Sequence, residues 1–471
     1  MKESKVMDTH ELQGQEKLEE VARLMGLLRK NLSEKSLSST KSVEILLKLR
    51  QHGTQLNHAD PIYSKTGIET LASYGVGKKS PDVRRAALRC IANALLLDPT
   101  MRQVFVDTGY GEKLAERLKN DSSEDEMIIS RILFLCTYDT TMNFDDLIKK
   151  NSLGENINHH ITRHAKQFSK GCKKTFSQDD ELALTDTLKL MFNLSNFSPD
   201  LAPIFSPSIP HMLKMISRME IRHQPLDGVI GYLINSLSIL DLDGKKASHL
   251  EGGVLFPKFN QNCNVDKLIN ILDQAVSMYK PEELETRAIP LLHLLITIYE
   301  LAPEGPRKYM QWLLLPEDSD RSQPIGHDDT LSSKLLRLST TPSPHLKTAI
   351  SELMFVLSGK CPENLTKNIG YGFAAGFLAS RGLEIPQNAG EAFATNNFDP
   401  EINPITGQRW DAEPEENKPP MMPEQKEREA ERLFILFERA RATGIINVEN
   451  PVVQALREGR LEELPDDNDS D

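Results

Sequence analysis

One arrangement recurs along the chain and limits its fold more than any other. Inside helical patterns, an apolar residue stands five positions before, and another two positions before, a reference residue. Leu88 and Ile91 precede Asn93, Ile129 and Ile132 precede Phe134, Leu188 and Met191 precede Asn193, and Ile230 and Leu233 precede Asn235. Weaker copies set Val43 and Leu46 before Lys48, Ile289 and Leu292 before Leu294, and Ile350 and Leu353 before Phe355. The reference positions are separated by 45, 41, 59, 42, 59 and 61 residues. The short steps match helical repeats of about 40–47 residues, and the long ones require insertions. Segments such as ALRCIANALLL and LKLMFNLSN are apolar on several faces, as a helix held between two neighbours must be. The pattern predicts an all-α, armadillo/HEAT-like right-handed helical solenoid. Three polar breaks, 166–180, 241–264 and 316–329, are expected as surface loops or partly disordered stretches.

The array accounts for residues 1–360. After Cys361 the composition changes: NLTKNIGYGFAAGFLASRG is glycine-spaced, and 361–420 reads as that segment followed by an extended linker. Residues 421–471 read as a helical appendage with an acidic tail. Its helix, over 423–443, opens on Pro423 and stops before Gly444. Leu433, Phe434 and Phe437 share the apolar face of that helix, which must dock, by preference under the solenoid.

Net charge is −12, but residues 411–471 hold 17 acids against 8 bases, so the rest of the chain is nearly balanced. No run of Lys and Arg builds the basic face that duplex nucleic acid or an anionic bilayer would need. No apolar stretch reaches the ~18 residues of a membrane span, and the first twenty residues lack the apolar core of an export signal. Five widely spaced cysteines without a C-x-x-C suit a reduced compartment. A cytoplasmic monomer is expected.

Motifs for chemistry fall short. The loop YGVGKKS at 74–80 has Ala72 where a phosphate-binding loop needs its first glycine. Gly370, Gly372 and Gly376 follow no strand, so a sharp turn or close packing explains them better than a dinucleotide site. His160 and His164 share a helical face without an intervening zinc-site glutamate, and are expected as solvated helix histidines. No nucleophile elbow or kinase loop set appears. The expectation is a protein with no catalytic side chains, no cofactor and no metal.

What remains is a groove. Asn93, Asn193 and Asn235 share one helical phase, and a row of amides can satisfy a bound peptide or helix. An asparagine that bonds backbone within its own repeat is an equal alternative. Arg131, Phe134 and Phe192 would add a carboxylate clamp and apolar anchors, although core packing suits both phenylalanines as well.

The array, GYGFAAGFLASRG, INPITGQRW and EQKEREAERLFILFERARATGIINVENP together closely resemble the synembryn family, the "resistance to inhibitors of cholinesterase" proteins. RAALRCIANALLL and DTLKLMFNLSNFS look like its armadillo helices, so the resemblance covers essentially the whole chain and suits a compact fungal member. It implies a guanine-nucleotide exchange factor and folding chaperone that binds heterotrimeric G-protein alpha subunits, nucleotide-free or GDP-bound, and promotes GDP release. It also implies that the alpha subunit's C-terminal helix enters the groove and that the protein is recruited peripherally to the cell cortex. Asn93, Arg131, Phe134, Phe192, Asn193 and Asn235 are the partner-binding candidates on this reading. The stretch EIPQNAGEAFATNNFDPEINP departs from animal members, which carry phosphorylatable residues among acids there. Ser122 and Ser123, followed by three acids, are the substitute candidates, with a solvated loop as the plainer reading. The rival to the whole reading is a generic armadillo adaptor. Carriers of that class use repeated Trp and Asn pairs, and this chain has only Trp312 and Trp410.

Overall fold

The computed structural model describes residues 13–168, 175–243, 253–383, 402–403 and 406–413, with a few isolated positions beyond. Eight helices carry the argument: α1 (Ser39–His52), α2 (Pro81–Leu97), α3 (Ser123–Leu135), α4 (Leu153–Lys166), α5 (Gln178–Phe197), α6 (Val229–Ile239), α7 (Ile289–Leu301) and α8 (Pro344–Leu357). All seven reference positions of the repeat lie on these helices, one each on every helix but α4. Those seven pack in chain order, each against the next, and α4 flanks α5. Among the described residues there is no strand, only an isolated antiparallel bridge between Ile402 and Arg409. The chain is an all-α solenoid.

Local chemistry sets the helix starts. The hydroxyls of Ser38, Ser122 and Ser177 accept the backbone N–H three residues on, capping α1, α3 and α5. Pro81 and Pro344 open α2 and α8, where a missing N–H costs nothing. The repeated apolar pair is the adhesive between neighbours: Leu88, Ile91, Ile129, Ile132, Leu188, Met191, Ile230 and Leu233 are all buried. Each contributes about 1.5–3 kcal/mol of burial, which low helix propensity at isolated positions cannot offset.

The glycine-spaced segment is helical. It forms two helices, Pro362–Ile369 and Tyr371–Ser380, that continue from α8. Gly370 joins them with φ +78°, so the sharp-turn reading of that glycine holds. By contact density the chain divides into two units, 1–412 and 413–471. Leu433 and Phe437 of the expected appendage helix lie outside the described residues.

The stretch 316–329 is no simple surface loop. It receives residues 406–409 of INPITGQRW. The N–H of Ile325 donates to the Thr406 carbonyl at 3.0 Å, and that of Arg409 to the Arg321 carbonyl at 2.9 Å. The Arg321 side chain, 5% exposed as a residue, donates to three carbonyls: Gly407 at 2.9 Å, and Lys367 and Asn368 at 3.2 Å. Gly407 has φ +66°, and a Cβ there would lie 2.2 Å from Ile325 Cδ1. Gly407→Val should therefore lower stability by about 1–3 kcal/mol through strain and overpacking. Urea unfolding followed by circular dichroism checks this, and an unchanged midpoint would mean that these residues are not docked.

Candidate partner-binding groove

The stacked helices are buried on all sides but one. On α2 the accessible positions from Arg89 on are Arg89, Asn93, Leu96 and Leu97; on α3 below its first turn, Met127, Arg131 and Phe134; on α5 from Thr185 on, Thr185, Lys189, Phe192, Asn196 and Phe197. The stripe continues through Tyr232 and Asn235 on α6, His293 and Ile296 on α7, and Glu352 and Phe355 on α8. The spacing is i, i+3 or i+4, i+7, which is one face of each helix. On α3, α5 and α6 the stripes meet, since Lys189 reaches both Phe134 and Tyr232.

Five of the six candidate residues lie on these stripes: Asn93, Arg131, Phe134, Phe192 and Asn235. Among the described residues neither Asn93 nor Asn235 makes a side-chain hydrogen bond, so their amides are available. Asn193 does not share their phase. It is 5% exposed, and its Nδ2 donates to Thr137 Oγ at 2.7 Å, while that hydroxyl donates to the Phe134 carbonyl. Asn193 thus ties α5 to the end of α3. Arg131 is also engaged: its Nε and Nη2 lie 3.0 and 2.8 Å from Asp186 Oδ2. Burial pushes the Asp186 carboxyl up, and the Arg131 charge and hydrogen bond pull against that.

The middle of the stripe is aromatic and cationic. The rings of Phe134 and Tyr138 meet edge-on at 5.4 Å, and those of Tyr138 and Phe197 at 6.0 Å. Arg102 lies over Tyr138. Lys189 Nζ sits 5.0 Å from the Tyr232 ring centroid and 5.9 Å from that of Phe134. Next to Tyr232, a cavity of about 380 Å³ opens between the start of α6 and Thr286 and Arg287, with Asn235 in its lining. Its size falls in the range of small binding sites, roughly 300–1,000 Å³. Arg287 there is paired with Asp227 at 2.8 Å.

Behind the stripe lies a polar cluster that sequence reasoning placed in solvent. His160 and His164 on α4 are fully buried, not solvated, and they face Glu126 on α3, which is also fully buried. His164 Nε2 is 3.0 Å from Glu126 Oε2, His160 Nδ1 is 3.2 Å from the same oxygen, and Arg163 donates to it as well. His160 Nε2 donates to the Leu118 carbonyl at 2.7 Å. Thr187 on α5 donates to Glu126 Oε1 at 2.7 Å, and the Ser130 and Thr187 hydroxyls meet at 3.1 Å. Burial alone would push the Glu126 carboxyl up; the hydrogen bonds and charge of His160 and His164 hold it well below the usual carboxylate range. The cluster is a charged joint between α3, α4 and α5. Among the described residues no group of three or more His, Cys, Asp or Glu side chains could hold a metal ion.

Ser122 and Ser123 are not in a solvated loop either. Ser122 caps α3 and accepts from Arg85, while Ser123 donates to Asp180 at 2.6 Å and accepts from Arg163. Both hydroxyls are engaged in holding helix ends, which a kinase would have to undo.

A family model described as guanine nucleotide exchange factor synembryn matches residues 45–460. The chain belongs to the synembryn family. All six candidate residues of this synembryn relative fall inside the matched span. The chaperone Ric-8A of Mus musculus is 26% identical over 448 residues, covering 86% of this chain and 82% of its own. A synembryn-like chaperone of Schizosaccharomyces pombe is 24% identical over 306 residues, 61% of this chain and 57% of its own. Among solved structures, a designed armadillo repeat protein aligns with 59% of this chain and 99% of its own at 11% identity and a TM-score of 0.36.

Proposed function

We propose that this synembryn-family protein is a guanine-nucleotide exchange factor and folding chaperone for heterotrimeric G-protein alpha subunits. It acts by seating a segment of the nucleotide-free subunit along the stripe that crosses α2 to α8. The observation that carries this reading is the stripe itself, with apolar anchors at Phe134, Phe192 and Tyr232 and available amides at Asn93 and Asn235. The family description supports the identity of the partner.

Exchange of this kind needs no covalent chemistry. The protein has only to bind the empty alpha subunit better than the GDP-loaded one. A ~10³-fold faster release corresponds to about 4 kcal/mol of that preference. By reciprocal linkage, a nucleotide whose affinity the protein lowers must lower the protein's affinity in turn, so GTP entry weakens the complex and returns the protein for another cycle. The protein works as a cytoplasmic monomer that reaches the cell cortex by peripheral recruitment. No described helix is long and apolar enough to cross a membrane.

The test mixes purified protein with GDP-loaded alpha subunit and follows GDP release, GTP uptake and the elution of a nucleotide-free complex on gel filtration. Accelerated release together with a stable empty complex is expected. Unstimulated release with no complex refutes the proposal.

A further inference from the structure

We infer that the groove selects a partner segment carrying an acidic side chain between two apolar anchors, and that Lys189 is the residue that selects it. The inference rests on the groove-binding reading above and adds the chemistry of what is bound.

Lys189 lies at the centre of the stripe, on α5, with helices bearing the same stripe on both sides. Its ammonium stands over Tyr232 from α6 and near Phe134 from α3. Among the described residues it has no ion pair or hydrogen bond. The nearest carboxylate on its own helix, Asp186 one turn back, is buried and held by Arg131 through two nitrogens. In the adjoining cavity the acid and base also cancel, because Asp227 is paired with Arg287. Arg131 and Arg287 are thus compensated by Asp186 and Asp227, which leaves Lys189 as the unpaired cation between Phe134 and Tyr232.

A segment that packs on Phe134 and Tyr232 necessarily covers the ammonium between them. Covering an unpaired cation removes its water and returns only the attraction of two ring faces, which is a small fraction of the lost hydration. An occupant that brings a carboxylate to Lys189 recovers that loss and adds a charge-assisted hydrogen bond. Aromatic surface lies on both sides of this point: Phe134 and Tyr138 on one, the Tyr232 ring on the other. The carboxylate therefore comes from within the bound segment, as an Asp or Glu side chain flanked by apolar residues, and not from a chain end.

The experiment titrates the full-length protein with fluorescent amphipathic helical peptides, blocked at both ends, that carry a leucine-rich face and one central Glu or its Gln isostere. The Glu peptide should bind at least tenfold tighter than the Gln peptide. Lys189→Met should remove that difference without weakening the Gln peptide further, and Lys189→Arg should retain most of it. Raised salt should narrow the gap for the wild-type protein and Lys189→Arg, but not for Lys189→Met. Equal affinity for both peptides, binding of neither, or a preference that appears only when the C-terminal carboxylate is unblocked overturns the inference. GDP release from the alpha subunit is followed in parallel with each variant. Wild-type stimulation with no charge preference sinks the inference alone, whereas absence of stimulation with a clear charge preference sinks the exchange reading and leaves the selectivity standing. Unaltered melting of Lys189→Met separates lost selectivity from lost fold.

Discussion

Replacing Glu126 by alanine is expected to cost about 3–5 kcal/mol of stability, the typical loss when one partner of a buried charge cluster is removed and the other stays behind. The remaining cation is Arg163, His164 loses its hydrogen-bond acceptor, and His160 loses the carboxylate 3.2 Å from its Nδ1. Urea unfolding at neutral pH measures the loss as a lowered midpoint. The pH dependence has a definite sign. Because the folded protein holds the Glu126 carboxyl below its usual range, the stabilisation it gives is fully present above the unfolded value of about 4.3 and declines as pH falls further. The gap between wild type and Glu126→Ala should therefore be largest near neutrality and narrow on acidification below about pH 4. A gap that widened in acid would show that the carboxylate is not the stabilising partner.

Phe192→Ala should give the largest loss of binding for the smallest loss of fold. Phe192 is half-buried on the stripe and, in contrast to Phe134, does not pack against the hydrophobic core. Truncating an exposed aromatic anchor of an interface costs about 2 kcal/mol or more, which is ~30-fold in affinity, while stability should stay within about 0.5 kcal/mol. The neighbouring change has the opposite profile. Asn193→Ala removes a buried hydrogen bond to Thr137 and should cost about 1 kcal/mol of stability while alpha-subunit capture survives. Affinity by titration and melting by circular dichroism, run on both variants, tell the two profiles apart. If Asn193→Ala abolished capture at unchanged stability, the stripe would have been drawn one residue out of place.

That one-residue difference shows what could be read from the chain. The seven stacked helices were legible because nearly all of their apolar pairs are buried, Val43 and Ile289 being the partly buried exceptions, and burial enforces hydrophobicity. The phase of α5 was not. Counting back from Phe192, the residue actually on the stripe, position −2 is Leu190 but position −5 is Thr187, a buried hydroxyl bonded to Glu126. A polar residue in an apolar slot hid the true frame, and Leu188 with Met191 offered a false one shifted to Asn193. The Glu126 cluster was invisible for the same reason. Its signal lay in Glu126, Ser130, His160, His164 and Thr187 all falling on buried helix phases, yet each looks like a solvent-facing residue until three helices are brought together. The stretch 316–329 misled in a third way. Its charges suggested exposure, whereas Arg321 is buried because three backbone carbonyls, two of them some 46 and 47 residues later, need donors.

The most distant of those carbonyls belongs to Gly407, 86 residues beyond Arg321. On the ribosome, the arginine emerges long before its last acceptor has been made. Until then the nascent solenoid carries a cation whose final burial must wait, so closure of this end is timed by the arrival of residues 406–409 rather than by growth of the array.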